Sequence, residues 1–581
     1  MENITVKING AEVSVPAGST VLEAAHIAGI EIPTLCYLKK INEIGACRIC
    51  ITEVNEGRGF RLVAACVYPV SEGMEILTCS KKVIESRKKT LELILSTHDK
   101  KCLSCVRSGN CELQKLSRAM DVDDASLYEG VLNKYEIDNS AVHMYRDNNK
   151  CILCRRCTAV CEKVQKIGVI GANKRGFSTY IGSPFDMGLG QTSCVSCGQC
   201  ITVCPTGAIA EKDNVDDVFA ALADSSKHVI VQTAPAVRAA LGECFGMPLG
   251  TNVEGKMVAA LRRLGFAKVF DTDFAADLTI MEEAHEFIDR LQNGGKLPLI
   301  TSCSPGWINY CEHYYPDMIE NLSSCKSPQQ MFGATAKTYY AQKMGIDPKD
   351  IVMVSIMPCT AKKFEIGRED QSAAGVPDVD YVLTTRELGR MINLASINFH
   401  RLPDEKFDEP LGISTGAAVL FGATGGVMEA ALRTAVHTLT GEDVTDFTEV
   451  RGTDGIKEAT YNVGGKQVRV AVASGLGNAD ELLTRVRSGE AEYDFIEIMG
   501  CPGGCVNGGG QPQQPGNIRN FNDLRDIRAK ALYTQDSQMK LRKSHENPAV
   551  KAVYEEFFGE PGSEKAHEIL HTSYIERKIN K

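Results

Sequence analysis

Period-two alternation of apolar and polar residues opens the chain. Ile4-Thr5-Val6-Lys7-Ile8 and Ala11-Glu12-Val13-Ser14-Val15 flank Asn9-Gly10, a pair that supplies the positive φ angles of a tight type I′ turn, so residues 4–15 are expected to form a β-hairpin. Val21, Ala25 and Ala28 then share one helical face, with Ser19 or Thr20 as cap and Gly29 as terminator. Two strands, a helix and a cysteine-bearing loop predict a small β-grasp unit to about residue 80. Helical spacing resumes over 83–120 and is broken by a cysteine loop at 98–111, and residues 141–215 carry two copies of one cysteine run. After a polar stretch at 211–217 the character changes. Apolar β-type runs at 228–233, 297–301, 351–357, 469–473 and 495–499 alternate with helical patterns and Gly-rich loops, which predicts α/β architecture with largely parallel sheets. In four of these segments a cysteine or the Ala234-Pro235 pair stands at or just beyond the strand end, where open α/β sheets place their sites.

The 581 residues supply material for several domains, and 43% hydrophobic with 24% charged residues is the composition of ordered globular protein. A net charge of −10 argues against a nucleic-acid or anionic-membrane surface. No run of about 18 apolar residues appears, so no membrane span is expected. The start, Met1-Glu2-Asn3-Ile4, has no basic segment followed by an apolar stretch, and a cytoplasmic location is expected. Against that background the 23 cysteines stand out, because in a reducing compartment such cysteines bind metal more often than they form disulfides. Nineteen fall into five groups with metal-ligand spacing; Cys79, Cys244, Cys311 and Cys325 are left over and are expected to behave as small buried hydrophobes.

The first group, Cys36, Cys47, Cys50 and Cys66, has Gly45 and Ala46 before its second member and suits a [2Fe–2S] cluster, whose sulfides need close backbone amides. Its spacing resembles ferredoxin domains of large NADH-linked redox complexes. His98, Cys102, Cys105 and Cys111 form the second group, read as a [4Fe–4S] cluster with one imidazole ligand; zinc would satisfy either group chemically. Cys151-x2-Cys154-x2-Cys157-x3-Cys161 and Cys194-x2-Cys197-x2-Cys200-x3-Cys204-Pro205 have the spacing of bacterial two-cluster ferredoxins, in which the fourth cysteine of each run serves the other cluster. One cubane is therefore expected on Cys151, Cys154, Cys157 and Cys204, the other on Cys194, Cys197, Cys200 and Cys161. The expected division is 1–80 [2Fe–2S] ferredoxin-like, 81–140 a small [4Fe–4S] domain with one histidine and three cysteine ligands, 141–215 two-cluster ferredoxin and 216–581 a large α/β catalytic domain. Four clusters in series make an electron conduit whose destination lies in the last part.

Three segments there carry a resemblance: Thr301-Ser302-Cys303-Ser304-Pro305-Gly306-Trp307, Met357-Pro358-Cys359-Thr360-Ala361-Lys362-Lys363-Phe364-Glu365, and the stretch from Glu497 through Cys501-Pro502-Gly503-Gly504-Cys505 to Gln511-Pro512. Together they resemble the three signature motifs of [FeFe]-hydrogenases, and with the cluster domains the resemblance covers essentially the whole chain. It implies an H-cluster, a [4Fe–4S] cube joined to a diiron unit carrying CO, cyanide and azadithiolate, on Cys303, Cys359, Cys501 and Cys505, with Cys505 bridging the two parts. It makes Lys362 the donor to a cyanide ligand, and gives Ala234, Pro235, Met357 and Met499 as apolar walls. Glu283, Glu286, Ser323 and Arg290 match the family's proton path. The glycines around Cys505 are expected to leave room for the cofactor. One departure matters: the family usually writes two adjacent cysteines where this chain has Cys303-Ser304. Column by column, Cys303 aligns with the proton relay and Ser304 with the ligand. An iron cluster needs thiolate more than a relay needs a thiol, so Cys303 is expected as ligand and Ser304 as relay.

The activity implied is 2H+ + 2e− ⇌ H2. Two other readings share parts of the pattern: an electron-transfer subunit, which the convergent cysteines after residue 215 oppose, and a hydrogen sensor, which should carry a signalling domain. The Cys-Ser pair resembles the NAD(P)-linked, electron-bifurcating multisubunit relatives. Partner subunits binding flavin and NAD(P)H, a small [2Fe–2S] subunit and ferredoxin are therefore expected, with a stand-alone ferredoxin-dependent enzyme as the alternative.

Overall fold

The alternation at the N-terminus folds as its period requires. In the computed structural model, which describes residues 2–122, 128, 132–453 and 455–578, β1 (Asn3–Ile8) pairs antiparallel with β2 (Ala11–Pro16), Ile8 opposite Ala11. Asn9 and Gly10 take φ of 48° and 90°, the left-handed pair a two-residue hairpin loop demands. Thr20 caps α1 (Val21–Ile27) and Glu23 completes a capping box, which satisfies two otherwise orphaned N–H groups. With β3 (Ile51–Asn55), β4 (Arg61–Ala64) and β5 (Glu75–Leu77) the sheet order is β2-β1-β5-β3-β4. Val6, Ile8, Val21, Ala25 and Ile76 form its core. The helical spacing after it becomes α2 (Lys81–Ser96) and α3 (Glu112–Ala119), with the cysteine loop between them.

The chain divides into two compact units that cut across the four-part division expected from sequence. The first holds residues 1–191, 203–210 and 513–523, the second 192–202, 211–512 and 524–581.

The second unit contains two four-stranded sheets. One runs β7 (Lys268–Asp271), β6 (His228–Thr233), β9 (Ile351–Met357), β10 (Tyr381–Thr384), all parallel. The other runs β8 (Leu299–Ile300), β13 (Phe495–Met499), β12 (Lys466–Ser474), β11 (Ile456–Val463), parallel except for the β11–β12 hairpin. Central strands such as β6 and β9 are mostly apolar along their length because both faces are covered. Each fully buried Val, Ile or Phe there contributes about 1.5–3 kcal/mol of transfer free energy. A 22-residue helix, α4 (Thr272–Asn293), follows β7; Asp271 caps it and Gly294, at φ 85°, ends it. Among the described residues no helix is long and apolar enough to cross a membrane.

Candidate metal centres

None of the 23 cysteines is in a disulfide. Cys36, Cys47, Cys50 and Cys66 meet as two thiol pairs: the Cys47 N–H donates to Cys36 Sγ at 3.4 Å, contact with Cys47 raises the Cys36 thiol, and contact with Cys50 raises Cys66. Four thiols in so small a space fit the ligand demand of a [2Fe–2S] cluster. His98 follows the end of α2 with its ring largely buried; burial holds its pKa below the ordinary value, and Nδ1 has no hydrogen-bond partner. A neutral imidazole with an uncommitted nitrogen is the form a metal takes. Cys111, raised by burial, feels the charge of Cys105, and a Cβ on Gly207 would lie 2.4 Å from Cys105 Sγ, so that position must stay small.

Cys151, Cys154, Cys157 and Cys204 line one cavity of about 20 Å³. Burial pushes Cys151 to about 12 and Cys157 to about 11, and the charge of Cys204 adds to both. Cys204 thus joins the first run, as the two-cluster spacing requires. Cys161 belongs to the first unit, whereas Cys194, Cys197 and Cys200 stand on residues 192–202 of the second.

The terminal site occupies the carboxyl ends of both sheets of the second unit. Cys303 follows β8, Cys359 follows β9, and Cys501 and Cys505 follow β13. They line one cavity of about 70 Å³, whose walls include Ala234, Pro235, Met357 and Met499. Cys359 and Cys501 touch, lowering the first thiol and raising the second, and the charge of Cys197 raises Cys501 further. Cys505, pushed to about 12 by burial, also feels Cys359. The thiol of Cys303 is raised by burial and then by Glu283, Cys505 and Glu497. Ser304 Oγ instead accepts the Gly500 N–H at 3.1 Å. Lys362 Nζ donates to Ser327 Oγ at 2.8 Å, Glu365 Oε2 at 2.9 Å and the Cys303 carbonyl at 3.3 Å. Converging thiols, an adjoining apolar cavity and one buried cation fit a cubane joined to a smaller anionic group.

Gly504 lines the cavity, and the glycines around Cys505 also admit close backbone packing. A Cβ on Gly504 would lie 2.6 Å from Thr424 N, one on Gly508 2.2 Å from Pro358 O, and one on Gly509 2.4 Å from Cys197 O. They are small so that protein backbone can pack on protein backbone.

On α4, Glu283 is fully buried and pushed up to about 8, by burial first and the Glu286 charge second, and its Oε2 has no partner. Glu286 accepts from Ser323 Oγ at 3.0 Å and from Arg290 at 2.6 Å. The Glu286 and Arg290 side chains each retain 15% exposure, so the acidic line runs from the cavity side to solvent. Sequence reasoning missed Glu497, a carboxyl inside the apolar run of β13. It takes the N–H groups of Gly425 and Met428 at 2.7 Å each, at the start of α5 (Gly426–Thr440), and burial raises it to about 7. A lone acid within Phe-Ile-Glu-Ile-Met was the available signal. It also passed over Cys325, whose thiol lies 3.9 Å from Glu286 Oε2.

Comparison with known proteins gives a consistent set of matches. Residues 227–509 match the family model for the iron only hydrogenase large subunit, C-terminal domain, and 522–577 that for the iron hydrogenase small subunit. Residues 1–81 match a 2Fe-2S cluster binding domain, 87–126 the NADH-ubiquinone oxidoreductase-G iron-sulfur binding region and 143–208 a 4Fe-4S dicluster domain. The NADP-reducing hydrogenase subunit HndD of Solidesulfovibrio fructosivorans is 51% identical, over 100% of both chains. Iron hydrogenase 1 of Clostridium pasteurianum is 43% identical over 98% of this chain and 99% of its own. A variant of the apo [FeFe]-hydrogenase from Chlamydomonas reinhardtii superposes with a TM-score of 0.56 at 45% identity, covering 63% of this chain and 99% of its own.

Proposed function

This chain belongs to the iron-only hydrogenase family, and from that premise we propose how its residues carry out the reversible interconversion of H2 with protons and electrons. It is an [FeFe]-hydrogenase with [2Fe–2S] and [4Fe–4S] domains ahead of its H-cluster domain. The observation that carries the residue assignment is the convergence of Cys359, Cys501 and Cys505 on one cavity, with Cys197 close enough to Cys501 to alter its thiol.

When bound, the H-cluster supplies the place where H2 is made or split. Cys359, Cys501 and Cys505 would hold its cubane, and Cys505 would also reach the diiron part. Cys197, whose charge reaches Cys501, would hold the accessory cluster nearest the cavity and so supply its electrons. Lys362, held by Glu365 and Ser327, presents a charge-assisted donor to the cavity, and Ala234, Pro235, Met357 and Met499 keep water out. For Cys303 and Ser304 we reverse the sequence expectation. Cys303 is placed among Glu283, Glu497 and Cys505, which supports it as the thiol that passes protons between Glu283 and the cavity. Ser304, whose Oγ accepts the Gly500 N–H beside Cys501, would be the fourth residue to hold the cubane. From Glu283 protons pass by Ser323 to Glu286, whose carboxylate Arg290 holds at 2.6 Å.

Similarity to an NADP-reducing hydrogenase subunit supports an NAD(P)-linked assembly; a cytoplasmic, anaerobic, bifurcating complex with a flavin subunit, a small [2Fe–2S] subunit and ferredoxin is our proposal from the Cys303-Ser304 pair. The test is reduction of benzyl viologen under H2 by anaerobically purified protein, with and without the proteins that build the diiron unit. Activity only in the first preparation supports the reading; reduction by both would remove the diiron unit from it.

A further inference from the structure

The C-terminal segment reaches the acidic line at a point no assigned residue explains. α6 (Glu564–Leu570) is followed by His571, whose backbone bridges antiparallel to Cys325. Its side chain is only 7% exposed. Nδ1 meets Ser324 Oγ at 2.8 Å and Nε2 meets Glu282 Oε2 at 3.1 Å. The N–H of the same Ser324 donates to Glu286 Oε2 at 3.1 Å. A ring nitrogen of His571, the thiol of Cys325 and a carboxylate oxygen of Glu286 all lie within 4.8 Å of one another, a gap that one bridging water spans. The groups facing the imidazole are Glu282 and Glu286 from α4, Cys325 and Ser324 from the loop beside it, and His567 from α6. His567 is solvent-exposed, with its ring centroid 4.5 Å from that of His571. Glu282 is itself fixed by the Tyr554 hydroxyl and the Gly562 N–H.

We propose that His571 exchanges protons with Glu286 and forms an outer stage of the proton path, open to solvent on the His567 side. This rests on Glu283 and Glu286 being the proton carriers. During H2 production a proton leaves a ring nitrogen of protonated His571 and reaches a Glu286 carboxylate oxygen through water. The imidazole is left neutral and takes its next proton from solvent; H2 oxidation runs the same transfer backwards. Histidine suits the task because one ring nitrogen can take a proton while the other gives one up, whereas an arginine such as Arg290 cannot release its proton.

The test uses the loaded enzyme and measures H2 production and oxidation across pH 5.5–9 for the native chain, His571→Ala, His571→Gln and Glu286→Gln, with and without added imidazole. Iron content and the infrared bands of the cluster report assembly. Both His571 variants should keep those bands, lose turnover severalfold and show an altered pH profile, and imidazole should restore His571→Ala. His571→Gln can keep contacts to Ser324 and Glu282 without carrying a proton, so it separates exchange from packing. Unchanged pH profiles in both variants beside a slowed Glu286→Gln would overturn the role of His571 alone. A Glu286→Gln enzyme as fast as the native one would overturn the carboxylate path and this inference with it.

Discussion

Ser304 Oγ accepts the Gly500 N–H at 3.1 Å, which fixes the residue after Cys303 beside the residue before Cys501. The side chain of Cys303 is then set in the company of Glu283, whose charge is the first after burial to act on its thiol. Ser304 thereby meets the strand end that carries Cys501, Cys303 feels both Glu283 of α4 and Cys505, and both residues line the cavity.

That division is tested by separating assembly from turnover. Cys303→Ala should keep the infrared bands of the diiron unit while turnover falls on the order of 10²-fold or more, the usual cost of a lost proton donor. Ser304→Ala should alter the electron paramagnetic resonance of the cubane, and Ser304→Cys should keep both cluster and turnover. Loss of the bands in Cys303→Ala would make Cys303 the ligand instead.

Glu283 should set a pH limit. Its carboxyl, raised from 4.5 to about 8 by burial and by Glu286, stays protonated at neutral pH and can donate. H2 production should decline as pH rises through about 8, and Glu283→Gln should remove that limb and slow turnover by on the order of 10²-fold. The same shift has a stability consequence. The folded chain holds this proton where the unfolded chain has lost it, so its contribution is complete below 4.5 and is lost as pH rises through about 8. Urea unfolding over that window should show a shallower decline with pH in Glu283→Gln.

Crowding at Gly504 should be measurable against a neutral control. Gly504 has φ 90° and no room, a Cβ meeting Thr424 N at 2.6 Å, whereas Gly18 has φ 86° and nothing within 4 Å. Both alanine variants carry the backbone strain, of order 1–3 kcal/mol. Only Gly504→Ala should also lose iron, because it displaces Cys505. Equal iron in the two would mean the loop yields without moving its cysteine.

The strands at 228–233, 351–357 and 495–499 were legible because burial on both faces leaves mostly apolar, β-branched runs. β7 and β10, four residues each, are too short to stand out from helical apolar runs beside them. The antiparallel β11 was not singled out, although its exposed Glu458, Thr460 and Asn462 alternate with less exposed residues as a half-covered strand requires. Cysteine sets were legible wherever ligands sit on one loop, since spacing then encodes geometry. Spacing does not choose between Cys303 and Ser304 as ligand, because a one-residue choice of face depends on what packs behind each side chain, here Gly500 and Glu283. Glu497 and His571 escaped for a related reason: their partners come from distant segments that no spacing in the sequence joins.

Iron content tests the cluster inventory. With every set filled, anaerobically purified protein should carry about 20 iron atoms per chain. His98→Ala should lower this by about four if the uncommitted Nδ1 belongs to a cubane. Stoichiometric zinc in the native protein, with iron near 16, would assign one of the N-terminal groups to zinc.

The most direct measurement is infrared spectroscopy of the purified chain under H2 alongside its H2 turnover, in preparations with and without the diiron-building proteins. CO and cyanide bands that shift on adding H2, appearing only in the preparation that turns over, are the expected result. Turnover without those bands would contradict an H-cluster on Cys359, Cys501 and Cys505.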